Sequence, residues 1–308
     1  MRRILFASLA IASVALAEQP ALGLRIAVQN FTTTQKVAQA EVVVTGKVSS
    51  LEKETVELPQ FPGDKNKVAF TIAVIKVETI LSGAKNVTHL KVAFITQAGG
   101  GGGEEQNLGL PIKGKPLPIR PGGFGPIQLT EGQEGIFFLQ KHPGSDSYYA
   151  IQQGFTPVAA KAENYKEELV KVKGITDALA DPMKALKAEK LDARLLAASA
   201  IVGKYRSNTT GQLVEKAIPA EETKLILKTL FEADWTAADM PAPGFDYQTS
   251  PSYLASMIGL NPGVNGIPQI QIKPGESYNA KMKEAIQAWH AKNGEKFEIK
   301  KFVAKDKK

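Results

Sequence analysis

Residues 40–48, AEVVVTGKV, and 67–77, KVAFTIAVIKV, decide the fold. Both runs are dense in β-branched residues, which fit a pleated surface better than a helix. In the second, Val68, Phe70, Ile72, Val74 and Ile75 give a partial alternation, the sign of a half-buried strand. Between the runs, Pro62-Gly63-Asp64-Lys65-Asn66 is turn chemistry. Further strands are predicted at 89–95 (HLKVAFI), 135–140 (GIFFLQ) and 148–152 (YYAIQ). Pro143-Gly144-Ser145-Asp146 forms a hairpin-like turn between the last two.

Residues 96–127 interrupt this pattern with ten Gly and five Pro. Such a stretch buries too little apolar surface to offset its ordering entropy, so the sequence predicts a mobile loop inserted within one domain. The helical period begins near Glu163. Asp181-Pro182 reads as an N-cap followed by proline at the first helical position. Residues 191–206 predict a long helix. Pro219-Ala220-Glu221-Glu222 opens another, with proline at its first position and acids in the first turn. Residues 236–276 show no sustained period. Ser277 is placed to cap a last helix carrying Met282, Ile286 and Trp289, and 296–303 (KFEIKKFV) predicts a closing strand. The expectation is an α+β protein: a small OB-like antiparallel β-barrel over 35–157, then an α-helical domain over 161–308.

The chain opens Met1-Arg2-Arg3, continues with an apolar run over 4–16, and reaches Ala15-Leu16-Ala17. This is the order of a secretory signal peptide, predicting cleavage after Ala17 and a periplasmic or extracellular destination. Thirteen apolar residues fall short of the about 20 that span a bilayer, and no later segment approaches that length, so no membrane span is expected in the mature chain. The 308 residues include no Cys. That excludes thiol chemistry, disulfides and Cys-type metal sites. The net charge is +7, and the last 17 residues alone hold seven Lys against Glu295, Glu298 and Asp306. The surplus is terminal, so it predicts weak adhesion to a surface polyanion and no specific nucleic-acid partner.

The order of elements over about 40–151 resembles the netrin/TIMP-like branch of OB-type barrels. The matching pieces are AEVVVTGKV, VIKVETILSG, HLKVAFI and LTEGQEGIFFLQKHPGSDSYYAI. The resemblance implies a binding domain of exported proteins. TIMP inhibitors use an N-terminal Cys on a protease zinc, and this chain has none to offer, so that mechanism does not transfer. Helix 191–206, with Arg194 and the small run Ala197-Ala198-Ser199-Ala200, is similar to a HEAT-type helix.

No catalytic, cofactor or metal constellation is legible. The glycine run 99–103 lacks the Gly-Lys-Ser/Thr ending of a phosphate loop. His89, His142 and His290 have no ligand spacing. His142, Ser145 and Asp146 share one turn, without the separate base and orienter that a triad needs. The residues chosen as possible contacts are Tyr148, Tyr149, Lys305, Lys307 and Lys308. Trp235 and Trp289 read as packing residues. The expected function is a non-enzymatic binding or interaction protein without a cofactor, its partner an unknown protein or a surface polyanion. The alternatives are an extracytoplasmic hydrolase using carboxylates, or a structural envelope or matrix component.

Overall fold

The computed structural model describes residues 31–60, 63–95, 127–152, 154–207, 213–239 and 246–305. The expected signal sequence, nearly all of the 96–127 insertion, Lys307 and Lys308 lie outside the described residues. The order of elements is α1 (Thr33–Gln39), β1 (Val42–Leu51), β2 (Val56–Pro59), β3 (Lys67–Ser82), β4 (His89–Phe94), β5 (Glu134–His142), β6 (Ser145–Ala150) and β7 (Val158–Ala159). Then come α2 (Tyr165–Ala180), α3 (Pro182–Leu186), α4 (Leu191–Arg206), β8 (Leu213–Ala217), α5 (Ala220–Glu232), α6 (Pro251–Met257), α7 (Tyr278–Asn293) and β9 (Lys300–Ala304).

The protein is α+β, with a mixed β-sheet followed by a helical region. The strands hydrogen-bond in the order β1–β3–β4–β6–β5, and β5 returns to pair with β1. The expected all-antiparallel barrel is corrected here. β4 and β6 run parallel, while the other pairs are antiparallel. The reason is arithmetic: direction alternates at each antiparallel pair, so a ring of five strands cannot alternate all the way round. The parallel junction is also thin, with only Val92↔Tyr149 and Ala93↔Ala150 in register. The result is a ring of hydrogen bonds and not a barrel.

Glycine sets how closely the ring closes. Gly46 of β1 lies against Lys76 of β3, and Gly135 of β5 against Val158 of β7. At either position an added Cβ would overlap the facing carbonyl oxygen. Three register shifts in β1 bend it around the core. The main apolar cluster, on both faces of the strands, includes Val44, Ile75, Val92, Phe137, Phe138 and Phe155, all fully buried.

Three helices seal this core, α1 through Val37. Val172 and Ile175 of α2 and Ala200 of α4 belong to the same apolar cluster as the strands. The remaining buried residues of α4 (Ala197, Ala198, Ile201 and Val202) belong to a second cluster with Leu230, Trp235, Leu254, Met282 and Ile286. Six consecutive residues of α4 are thus buried, Ser199 among them. A helix enclosed on every side needs small residues, because neighbours must approach closely. The region 236–276, expected to be irregular, contains α6, capped by Ser250 with Pro251 at its first position. Asp181 and Ser277 cap α3 and α7 as the sequence predicts. Pro219 stands one place earlier than expected, at the N-cap of α5. The closing strand β9 is present, antiparallel to β8.

His142 ends β5 with 3% of its surface exposed, its ring edge-on to Phe70 at 4.8 Å. The Gly144 N–H donates to its Nδ1 at 3.1 Å. Burial holds this imidazole below its usual protonation range. The unfolded chain therefore binds the proton first. Stability should be full above about pH 6.5 and fall as pH drops below it, until the folded-state pKa is passed. Urea midpoints between pH 8 and pH 5 test this against His142→Gln, which should lose that part of the slope. Parallel pH profiles for the two proteins would refute it.

Candidate functional site

A groove of about 940 Å³ opens between α2, α4 and the segments that follow α5 and precede α6. Helix α2 presents two rows to it, Lys166, Val170 and Gly174, and Glu167 with Lys171. These rows repeat every four residues, so they share one helical face. From α4 come Leu191, Asp192, Leu195 and Leu196; Ala233, Asp234, Ala237 and Pro251 complete the wall. The floor is apolar and the charges sit at the rim. Val170 is 72% exposed there, the most exposed of the large apolar side chains that are described.

One end of the groove is fastened. Lys171 bonds Asp246 at 2.9 Å, and Asp246 also accepts from Thr34 Oγ1 and the Gln248 N–H. Thr33 bonds Glu168. These contacts tie α1, α2 and the turn at Tyr247–Thr249 into one unit. At the far end, the hydroxyl and backbone N–H of Thr236 donate to Asp234 Oδ1. Those bonds hold the Asp234 carboxyl below its usual range, so it stays ionised and serves as a local cap.

The rim carboxylates Glu167, Asp192 and Asp234 come from three separate elements, and no histidine lines the groove. Among the described residues no group of three or more His, Asp or Glu stands close enough to hold a metal ion. The arrangement can bury an apolar body and hold polar groups at its margin.

The contact residues chosen from sequence lie elsewhere and are not brought together. Tyr148 and Tyr149 are both half-buried on opposite faces of β6. Tyr149 packs on the ring core, and Tyr148 on the small cluster of Leu58, Phe70, Ile72 and Ala93. Lys305 is exposed just after β9. Tyr247 is 56% exposed and meets Tyr253 edge-on at 5.8 Å. Trp235 is buried. The groove residues were missed, although one signal was present. Leu169, Val172, Ile175 and Leu179 of α2 follow the core stripe, while Val170 and Gly174 lie off it, four residues apart.

The chain matches no protein-family model, and no curated protein is detectably similar to it. Among the described residues no helix is long and apolar enough to cross a membrane.

Proposed function

We infer that this is an exported binding protein whose groove between α2 and α4 takes the apolar body of an amphipathic ligand. Export is supported by Met1-Arg2-Arg3, the apolar run 4–16 and the Ala15-Leu16-Ala17 site. An OB-type ancestry for the N-terminal region is supported by the ring order with its single parallel junction.

The observation that carries the binding reading is Gly174. It stands in the interior of a 16-residue helix, where glycine costs about 1 kcal/mol relative to alanine. Its φ is helical, and a Cβ there would meet no atom within 4 Å. Neither backbone conformation nor packing requires glycine at this position. Its effect is to leave the exposed α2 wall of the groove without a side chain beside Val170.

The test uses protein from the exported fraction, with Glu18 expected as its N-terminal residue. It is titrated with the neutral apolar reporter N-phenyl-1-naphthylamine. Wild type should bind saturably. Gly174→Ala should bind similarly and gain about 0.5–1 kcal/mol of stability. Gly174→Phe should fill the groove and weaken binding at least about tenfold, which corresponds to about 1.4 kcal/mol. Equal affinity for wild type and Gly174→Phe would sink the proposal.

A further inference from the structure

A second, smaller cavity of about 230 Å³ lies between α1, α4 and α6. Thr34, Gln35, Ala38, Ser199, Gly203 and Gln248 line it, with Tyr253, Met257 and Arg206 at its margin. A single water takes up about 30 Å³ of liquid, so the space exceeds what one structural water fills.

Its polar groups include hydroxyls of Thr34 and Ser207, which give their protons to Asp246 and the Lys204 carbonyl, and two glutamine amides with donors to spare. Thr32 engages both amide oxygens: its N–H donates to Gln35 Oε1 at 3.2 Å, and its Oγ1 to Gln248 Oε1 at 2.9 Å. That leaves the amide nitrogens, which only donate, as the uncommitted ends of both side chains. The Ser199 hydroxyl is the independent observation. Ser199 is 3% exposed and its Oγ has no hydrogen-bond partner among the described residues. A hydroxyl left unpaired in a buried site costs about 1–3 kcal/mol, so buried groups in folded proteins are nearly always paired. Arg206 adds positive charge; its guanidinium bonds Glu215 through Nη1 at 2.9 Å and lies over the Phe302 ring at 4.4 Å.

We propose that this cavity is a binding site for a small carboxylate, independent of the groove on α2. Two amide N–H₂ groups and the Ser199 hydroxyl supply donors to the carboxylate oxygens. Ala38, Gly203 and Met257 supply an apolar wall for a short hydrocarbon part. The volume fits a molecule of a few heavy atoms. The donors left without a partner, two amides and Ser199, favour an acceptor as occupant, and the nearby Asp246 carboxylate, which accepts from Thr34 Oγ1 and the Gln248 N–H, is paired with Lys171.

The experiment titrates the mature chain, residues 18–308, with acetate, propionate and malonate at fixed ionic strength, with propionamide and propylamine as neutral and cationic controls. Melting temperature and calorimetric heat are read for wild type, Ser199→Ala and Gln248→Glu. At least one carboxylate should bind saturably and raise the melting temperature, with propionamide weaker and propylamine without effect. Without ligand, Ser199→Ala should melt at the wild-type temperature or higher, because it removes an unpaired buried hydroxyl. It should bind the carboxylate about tenfold or more weakly, the worth of one hydrogen bond to a charged group. Gln248→Glu should abolish binding by placing like charge in the cavity. The proposal is overturned if no carboxylate binds saturably, if propionamide binds as well, or if Ser199→Ala leaves the affinity unchanged.

Discussion

Gly83→Ala is expected to destabilise the protein by about 3–5 kcal/mol, the largest effect of any single-methyl change considered. Two costs combine. Gly83 follows the last residue of β3 with φ at +81°, a conformation that an L side chain resists. Its added Cβ would also overlap the Glu41 carbonyl oxygen and stand 2.8 Å from the carbonyl carbon, just before β1 begins. Both obstructing atoms are backbone, so no rotamer change relieves the clash. Gly132→Ala separates the two costs. Gly132 has nearly the same φ, +82°, but nothing within 4 Å of a Cβ. It should lose only the conformational part, about 1–2 kcal/mol. Urea denaturation of both variants gives the comparison. Equal losses would mean that the end of β3 can move away from Glu41.

The same glycine shows why the β region was readable. Gly46, Gly83 and Gly135 all stood in the quoted motifs, and each marks a place where the backbone meets another strand. The β-branched runs around them are local signals, because every second residue faces one core. Other elements left weaker traces. Helix α1 is seven residues long and begins with two threonines, poor helix formers, so its period is illegible. The structure shows a capping box of Thr32 and Gln35 at its start, a signal that went unread in the sequence. Strand β2 ends at Pro59, a residue that argues against a strand, and it pairs only with the start of β3. Among the described residues strand β8 pairs only with β9, 91 residues away at Leu213↔Ala304 and 83 at Ala217↔Lys300. Nothing near β8 in sequence announces the pairing.

The candidate sites were less legible for a similar reason. The groove draws on residues from 166 to 251, and the smaller cavity from 34 to 257. No motif spacing links such positions. Tyrosines and terminal lysines attracted attention by residue type, whereas the groove depends on a missing side chain at Gly174. The parallel β4–β6 junction was missed because local alternation shows that a strand exists but not which way its neighbour runs.

Trp235→Ala should cost about 3–5 kcal/mol, although the residue lies outside regular helix between α5 and the turn at Thr236–Ala238. The indole is 1% exposed and belongs to the cluster that includes Ile201 of α4, Leu254 of α6 and Ile286 of α7. Its Nε1 donates to the Leu230 carbonyl at 2.9 Å, one of the acceptors that the end of α5 leaves without a helical partner. Truncation therefore opens a large void and also strands an acceptor. Trp289 provides the contrast. It is half-buried on α7, edge-on to Phe297 at 5.7 Å, and donates to Asn265 O at the surface. Solvent can replace much of what Trp289→Ala removes, so it should cost about 1–2 kcal/mol. The two variants also differ in function. Trp235 does not line the groove but lies in sequence between Asp234 and Ala237, which form its wall, so its loss should weaken reporter binding with every lining residue unchanged. Trp289 is remote from that wall, and its loss should leave binding intact. Denaturant midpoints and the reporter titration, run on both variants, check the pair. A smaller loss for Trp235→Ala than for Trp289→Ala, or reporter binding that tracks Trp289, would show that the helical core is not organised around Trp235.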